Sequence, residues 1–394
     1  MYPSISDLLR DLLGWAPPLP IQTFGFFLAL SFLFGAYTVV KELQRKEQQG
    51  LLKPNKVSFL KGKPATISDY ISAGFFGFLI GFKLVYAGMN YQLFSEDPQA
   101  VMLSTQGNWI AGIVLAAAAV YYRYYEDKKE RLDPPVLVEE DVHPYQYMSN
   151  ITMLAAVVGI LGSKLFHMLE NMDDFYRDPM DAIFSFSGLT FYGGFICAGI
   201  AVLVYANRKG IPPVHMFDAT APCMMLSYGI GRIGCQLSGD GDWGIVNIAP
   251  KPSWLSWAPD WVWTYSYPHN VVGEGTRMAG CEGRHCFELI PPVFPTPLYE
   301  AVACILLFFF LWSIRKKINT PGILTSIFLI LNGTERFLIE HIRVNNMLDF
   351  VFFTATQAEA ISMSLIIAGV AGLVYFRTRR PPNPQGGNNT VLHS

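Results

Sequence analysis

Nine predominantly apolar windows recur along the chain, at residues 24–40, 72–89, 109–122, 151–169, 189–205, 216–233, 298–314, 323–342 and 358–376. A bilayer core of about 30 Å needs roughly 20 apolar residues in helical form, and most of these windows approach that length. They predict an all-α, polytopic integral membrane protein of about nine transmembrane helices. The third window is short, and the sixth and eighth contain charged residues. The polar connections alternate in charge. Lys41, Arg45, Lys46, Lys53, Lys56, Lys61 and Lys63 follow the first window, and Arg123, Lys128, Lys129 and Arg131 the third. Arg208 and Lys209 follow the fifth, Arg315, Lys316 and Lys317 the seventh, and Arg377, Arg379 and Arg380 the last, while 91–108 and 345–357 contain neither Lys nor Arg. Because cytoplasmic connections collect Lys and Arg, the N-terminus is expected outside, the C-terminus inside, and the long connection 237–295 outside.

Composition agrees with this pattern. Of 394 residues, 51% are hydrophobic and 15% charged, against roughly 25% charged in ordinary soluble domains. A net charge of -2 gives no basic excess to attract nucleic acid. Six cysteines are too few for a disulfide scaffold. The opening 20 residues hold Asp7, Arg10, Asp11 and four prolines rather than a basic head and an apolar stretch, so the first window is expected to remain as an anchor. Residues 1–380 are expected to form one transmembrane domain, followed by a disordered tail, 381–394, rich in Pro, Gly and Asn.

Two windows share a signature. Gly81-Phe82-Lys83-Leu84 is followed by Asn90 and Phe94, and Gly162-Ser163-Lys164-Leu165 by Asn171 and Phe175 at the same offsets, which reads as an internal copy of a helix pair. Chance similarity between two apolar helices is the alternative. In the long connection, Trp243, Trp254, Trp257, Trp261 and Trp263 cluster with Tyr265 and Tyr267, a composition suited to the headgroup level of a membrane.

Charged groups inside apolar windows are costly and mark cavities, headgroups or partners. Arg232 lies in Gly229-Ile230-Gly231-Arg232-Ile233-Gly234-Cys235, whose glycines permit close approach of other groups. Arg336, Glu340 and Arg343 stand at i, i+4 and i+7 on the eighth window, which places them on one helical face. Snorkelling arginines with Glu340 as a structural partner is the alternative. Beyond Arg232, Asp240 and Asp242 alternate with Gly239, Gly241 and Gly244. The turn superficially resembles a calcium loop but lacks its further ligands and bidentate Glu, so no metal is expected; the carboxylates hold the arginines, bind a polar substrate group, or simply face solvent. Arginines suit phosphate because the planar fork donates two parallel hydrogen bonds, which points to a phospholipid headgroup.

With Gly231-Arg232-Ile233-Gly234, the Gly-Asp turn and Trp243-Gly244, the chain resembles the prolipoprotein diacylglyceryl transferase family. Phe191-Tyr192-Gly193-Gly194, Pro295-Thr296-Pro297-Leu298-Tyr299-Glu300, Gly333 through Arg336 to Glu340 and Arg343, and Thr356-Gln357 match further family elements in order. The resemblance implies a seven-span body, here with an extra helix pair, in the bacterial cytoplasmic (inner) membrane, with an active site open to the outer leaflet. It implies transfer of the diacylglyceryl group of phosphatidylglycerol to the lipobox cysteine of a preprolipoprotein, releasing glycerol phosphate, with no cofactor. On this resemblance Arg232, Arg336 and Tyr192 fall on catalytic positions. Arg232, Gly234, Cys235, Asp240, Asp242, Gly244, Glu340 and Arg343 fall on substrate-binding ones, with either Asp240 or Asp242 standing for the family's Glu.

The chain departs from the family at four polar positions: Tyr192 stands for a histidine, Cys235 for an Asn, Phe24 for a Tyr and Asn332 for a Tyr. A phenol with a reference pKa near 10 is a poor base at neutral pH. Either the arginines carry the catalysis while a neighbour such as His167 takes the proton, or the activity is altered. His167 has a packed, structural role as its alternative. Cys281 and Cys286 are expected to form a small disulfide, with a metal site including His285 as the alternative, and Cys197, Cys223 and Cys304 are expected to pack. Two rivals stand outside this enzyme class: a non-catalytic paralogue that binds lipid or lipoprotein precursors, and a transporter, although transporter sites lie near the midplane whereas these polar residues cluster at helix ends.

Overall fold

Each of the nine apolar windows contains a helix in the computed structural model, which describes residues 1–96, 98–132, 134–177, 179–184, 190–344, 347–349 and 354–378. In chain order the principal helices are α1 (Ile5–Leu13), α2 (Thr23–Gln48), α3 (Ile67–Met89), α4 (Trp109–Glu130), α5 (Met148–Glu170), α6 (Phe191–Arg208), α7 (Pro213–Ser238), α8 (Thr296–Ile314), α9 (Ile323–Glu340) and α10 (Gln357–Thr378). Among the described residues, five helices are long and apolar enough to cross a membrane: α2, α3, α5 with its 3-10 lead-in, α8 and α10. The protein is thus a multi-pass membrane protein. The charged stretches foreseen in the sixth and eighth windows lie within α7 and α9. The tail expected to be disordered lies outside the described residues.

The chain divides into two compact units, one of residues 1–26 and 43–210, the other of residues 27–42 and 211–394. In the first unit β1 (Asn55–Lys61) pairs antiparallel with β2 (Val136–Val142), Asn55 opposite Val142 and Lys61 opposite Val136. Two helix pairs follow one plan. α3 ends on Asn90, whose Nδ2 donates to Tyr86 O at 3.0 Å, and α5 ends on Asn171, whose Nδ2 donates to His167 O at 3.0 Å. Each is followed by two six-residue helices, Tyr91–Glu96 and Pro98–Leu103 or Met172–Arg177 and Pro179–Phe184, before the returning helix. Asn108 N donates to Phe82 O, just before Lys83, and Thr190 N to Ser163 O, just before Lys164. Small residues let both pairs close: a Cβ on Gly77 would stand 2.7 Å from Leu115 O, and one on Gly162 2.6 Å from Cys197 Cβ. Close backbone approach of this kind is how helices associate where apolar burial gives no advantage over lipid.

In the second unit the inner faces of α7, α8 and α9 meet through Ala221, Met225, Cys304, Phe308, Leu311 and Leu324. Two buried polar anchors tie the helices at ends away from Arg232. Asp218 accepts hydrogen bonds from Gly322 N at 2.9 Å and from Thr325 N and Oγ1 at 3.1 and 2.8 Å, capping the start of α9. Glu42, on α2, pairs with Arg315 Nε at 3.1 Å just past the end of α8. The connection from α7 to α8 is folded, not an open loop. It contains 3-10 turns at Ser253–Leu255 and Asp260–Val262, and an antiparallel pair β3 (Thr276–Arg277) and β4 (Phe287–Glu288). The Cys281–Cys286 disulfide closes the tip between those strands.

Candidate active site

The last turns of α7 carry Arg232 and Cys235, and the helix stops where Gly239 takes a left-handed conformation with φ 65°, its N–H returning to Cys235 O. Gly241 follows at φ 99°. These two positive-φ residues fold the chain back so that Asp242 meets Arg232, an arrangement that a β-substituted residue at either glycine would strain. Gly244 then packs against Phe294 and Thr296, where a Cβ would stand 2.9 Å from both side chains. It also forms an antiparallel bridge with Arg343. The turn after α7 is thereby stitched to the residue that follows α9.

Four helix ends or turns converge on one carboxylate. Glu300, in the second turn of α8, has no exposed surface. Arg232 Nε lies 2.9 Å from its Oε2, Arg336 Nη1 3.0 Å from its Oε1, and Arg343 Nη1 3.5 Å from both oxygens. Tyr228 donates its hydroxyl to Glu300 Oε1 at 3.0 Å and places its ring 5.0 Å from the Arg232 guanidinium. Asp242 is shared: Arg343 Nη2 reaches its Oδ1 at 2.7 Å and Arg232 Nη1 its Oδ2. Glu340 holds Arg336 Nη2 at 3.0 Å and accepts from Thr356 Oγ1 at 2.7 Å. Three guanidiniums thus face three carboxylates, a balance that buried ions require because desolvation alone costs several kcal/mol per ion.

The partners differ in access. Glu300 and Glu340 are buried, whereas the Asp242 side chain is 36% exposed. Asp242 is the member of the network that an incoming anion can displace. Burial pushes the Asp242 carboxyl up, but Arg232 and then Arg343 more than offset this, and it lies below its ordinary range. Burial pushes the Asp240 carboxyl up, the Asp242 charge adds to that, and it lies above its ordinary range. Two carboxyls two residues apart are therefore driven in opposite directions by their surroundings.

Among the residues expected at the site, Arg232, Arg336, Glu340, Arg343, Asp242 and Gly244 come together. Arg343 does so from a different backbone position than expected. α9 ends at Glu340 and Arg343 follows in a bridge, not on the helical face of Arg336. Cys235 Sγ lies 3.7 Å from Arg232 Nη1 and 3.8 Å from Asp242 Oδ2, and Gly234 is buried on the same turn of α7. Of the nearby glycines, Gly229 does admit a close neighbour, since its Cβ would stand 2.9 Å from Ile305 Cγ1, but Gly231 faces open space. Cys235, Asp240 and Asp242 offer ligand atoms within 4.8 Å of one another, yet the two guanidiniums already on Asp242 oppose a cation there. Tyr192 opens α6 and His167 lies in the last turn of α5, both at the same end of one helix pair in the first unit, where Asn171 Nδ2 lies 3.1 Å from His167 Nδ1.

In the sequence Glu300 stands within the Pro295–Glu300 motif with no role of its own, and Glu335 is unmarked beside Arg336. Glu335 precedes Arg336, is buried, and neither carboxylate oxygen has a hydrogen-bond partner. The available signal was an acid inside an apolar window, Glu300 alone in 298–314 and Glu335 beside Glu340 in 323–342, which calls for a partner or a proton.

Comparison with known proteins follows the same residues. The family model described as prolipoprotein diacylglyceryl transferase matches residues 110–375. A Burkholderia ambifaria protein named phosphatidylglycerol--prolipoprotein diacylglyceryl transferase is 30% identical over 241 residues, covering 59% of this chain and 79% of its own. One of the same name from Chlorobaculum tepidum is 26% identical over 305 residues, covering 74% of this chain and 91% of its own.

Proposed function

The chain belongs to the prolipoprotein diacylglyceryl transferase family, and from that premise we propose that it moves the diacylglyceryl group of phosphatidylglycerol onto the lipobox cysteine thiol of a preprolipoprotein. The sulfur forms a thioether with the glyceryl carbon as the carbon–oxygen bond to phosphate breaks, and glycerol phosphate leaves. The proposed setting is the bacterial inner membrane, with about nine spans and the site open to the outer leaflet.

The observation that carries this reading is the set of three guanidiniums around Glu300, two of which share the exposed Asp242. A phosphodiester has one negative charge and oxygens suited to the guanidinium fork. On this reading it replaces Asp242 on Arg232 and Arg343 without changing the charge balance. Arg336, engaged by both Glu300 and Glu340, supplies a fixed third positive charge. As the carbon–oxygen bond breaks, charge builds on the departing phosphate, and preorganised donors at that place are commonly the largest catalytic contribution. Their field also favours the thiolate over the thiol. For the thiol proton, the candidate acceptors are Tyr192, His167 and Asp240, the last because it lies on the turn beside Asp242 with its carboxyl raised by burial.

The test uses purified protein in phosphatidylglycerol-containing nanodiscs with a lipobox peptide, scored by the peptide's gain of one diacylglyceryl mass. Wild type is expected to add it and Arg232→Ala to fail. Tyr192→Phe, His167→Asn and Asp240→Asn then identify the acceptor, as the variant whose pH profile loses the limb on which activity rises with pH. The tyrosine at the family's histidine position favours one other reading, a paralogue that binds the peptide without modifying it. Peptide binding with no mass gain would establish that alternative.

A further inference from the structure

Five tryptophans lie in the connection between α7 and α8, and they divide into two kinds. Trp243 is buried against Tyr267, with ring centroids 5.2 Å apart, and Trp263 packs edge-on against Phe294 at 5.3 Å. Trp254 and Trp257 are 71% and 81% exposed, and Trp261 is exposed as well. The exposed ones all belong to residues 247–264, a segment with a closed neck. Asn247 Nδ2 donates to Trp263 O at 2.7 Å, Thr264 Oγ1 to Asn247 O at 2.9 Å, and Trp263 Nε1 to Ala249 O at 2.9 Å. Leu255 and Ala258 fill its interior, and Lys251 spans it to Ala258 O at 2.8 Å and Asp260 Oδ1 at 2.6 Å. The segment is a compact Ω-loop, ordered by its own contacts, that nevertheless holds Ile248, Trp254, Trp257 and Trp261 outward.

We propose that residues 247–264 form a membrane-interface anchor, with Trp254, Trp257, Trp261 and Ile248 seated in the headgroup region of the bilayer beside the arginine network. Three observations favour lipid as the occupant. Indole combines a large apolar ring with a polar N–H and concentrates at the boundary between headgroups and acyl chains. The only charges in the segment, Lys251 and Asp260, neutralise each other, so the surface offers no electrostatic hold on a charged protein partner and suits a neutral interface. The neck is also continuous with the site: Ile245 N donates to Ile342 O at 2.9 Å, and Val246 bridges Val293, which in turn bridges Tyr265. The loop is therefore held close to the ends of α8 and α9, where apolar helices meet polar connections. An anchor here would set the depth of the arginine cluster relative to lipid phosphates, so this function rests on the transferase reading while the anchoring itself does not.

The experiment uses the full-length protein in phosphatidylcholine nanodiscs, comparing wild type with W254F/W257F/W261F. The difference between their tryptophan emissions isolates the three indoles. In discs of phosphatidylcholine brominated near the headgroup end of the acyl chains, most of that difference signal is expected to be quenched, whereas aqueous iodide leaves it nearly unchanged. The opposite pattern, iodide quenching without bromine quenching, overturns the proposal. So does a water-exposed signal that becomes protected only when a lipobox peptide is added, which would assign the patch to the precursor. If the triple variant does not fold, W257F alone gives the same reading from one indole. Arg232→Ala is expected to leave loop quenching as in wild type, so loss of transfer and loss of anchoring are read separately.

Discussion

The second unit contains two wholly buried glutamates engaged by arginine, and they teach different things. Glu42 is engaged by Arg315, which also lies over the Trp312 ring with its Cζ 3.2 Å from the centroid. The pair is enclosed, and nothing in its geometry leaves room for exchange. Glu300 meets three guanidiniums, and two of these extend to a carboxylate at the surface. Both lie on or near α8, at its two ends, about 22 Å apart at 1.5 Å per residue. At one end a buried carboxylate is engaged by a buried arginine; at the other three arginines surround a buried glutamate, and two of them also hold a carboxylate that solvent can reach. Access to a partner carboxylate that solvent can reach, rather than the presence of a buried ion pair, separates the candidate chemistry from the fastening.

The sharpest way to break this comparison is to neutralise the closed pair. Glu42→Gln removes the carboxylate that engages the buried Arg315 and is expected to cost about 3–5 kcal/mol of stability. Thermal unfolding in detergent measures that loss, while transfer per folded molecule is expected to remain at the wild-type value. Loss of transfer in step with loss of Glu42 would place both glutamates in one functional system. Next in size comes Arg232→Ala, expected to lower transfer by about 10²–10³-fold, as removal of one preorganised donor does in other enzymes. Arg343→Lys keeps the charge but loses the fork that joins Asp242 to Glu300. It is expected to lower transfer by roughly tenfold, about 1.4 kcal/mol, read by the same peptide mass assay.

The helices and most members of the network were legible because bilayer length and stray charge leave strong marks. Arg232, Arg336 and Glu340 stand out as charges in apolar runs, and Asp242 and Gly244 as parts of a glycine-rich turn. The doubled helix pair was visible in a few residues, and both copies share the capping Asn and the pair of short helices. What escaped were relations between distant segments. Glu300 becomes the hub only once α7, α8 and the turn after α9 are packed together, and no spacing along the chain reports that 68 residues away it faces Arg232. Arg343 fitted a helical face by count, but the helix ends before it, since the bridge to Gly244 takes over the backbone. The tryptophan cluster was legible as a cluster, whereas its division into two packed and three exposed rings needed the loop's internal hydrogen bonds.

The smallest predicted effect concerns the open end alone, where Asp240 and Asp242 titrate in opposite senses. The folded-state carboxyl of Asp242 is lowered, chiefly because Arg232 and Arg343 outweigh burial. Its contribution to stability is present above the ordinary carboxyl value of about 4 and disappears as pH falls through the folded value. Asp242→Asn is therefore expected to destabilise at pH 7 and to become indistinguishable from wild type in strong acid. Asp240 is raised by burial and by its neighbour's charge, so its contribution is present below about 4 and lost as pH rises through the folded value. Asp240→Asn is expected to stabilise at pH 7, with the difference vanishing on acidification. Because both turns are partly solvated, screening limits the shifts to about 1–2 °C in melting temperature. Phosphatidylglycerol sharpens the contrast: if the lipid phosphate displaces Asp242 from its arginines, the destabilisation by Asp242→Asn shrinks in discs that contain it, while the effect of Asp240→Asn persists. An undiminished Asp242→Asn effect in those discs would mean that the carboxylate keeps its arginines with lipid present, and would make the open end as closed as the Glu42 pair.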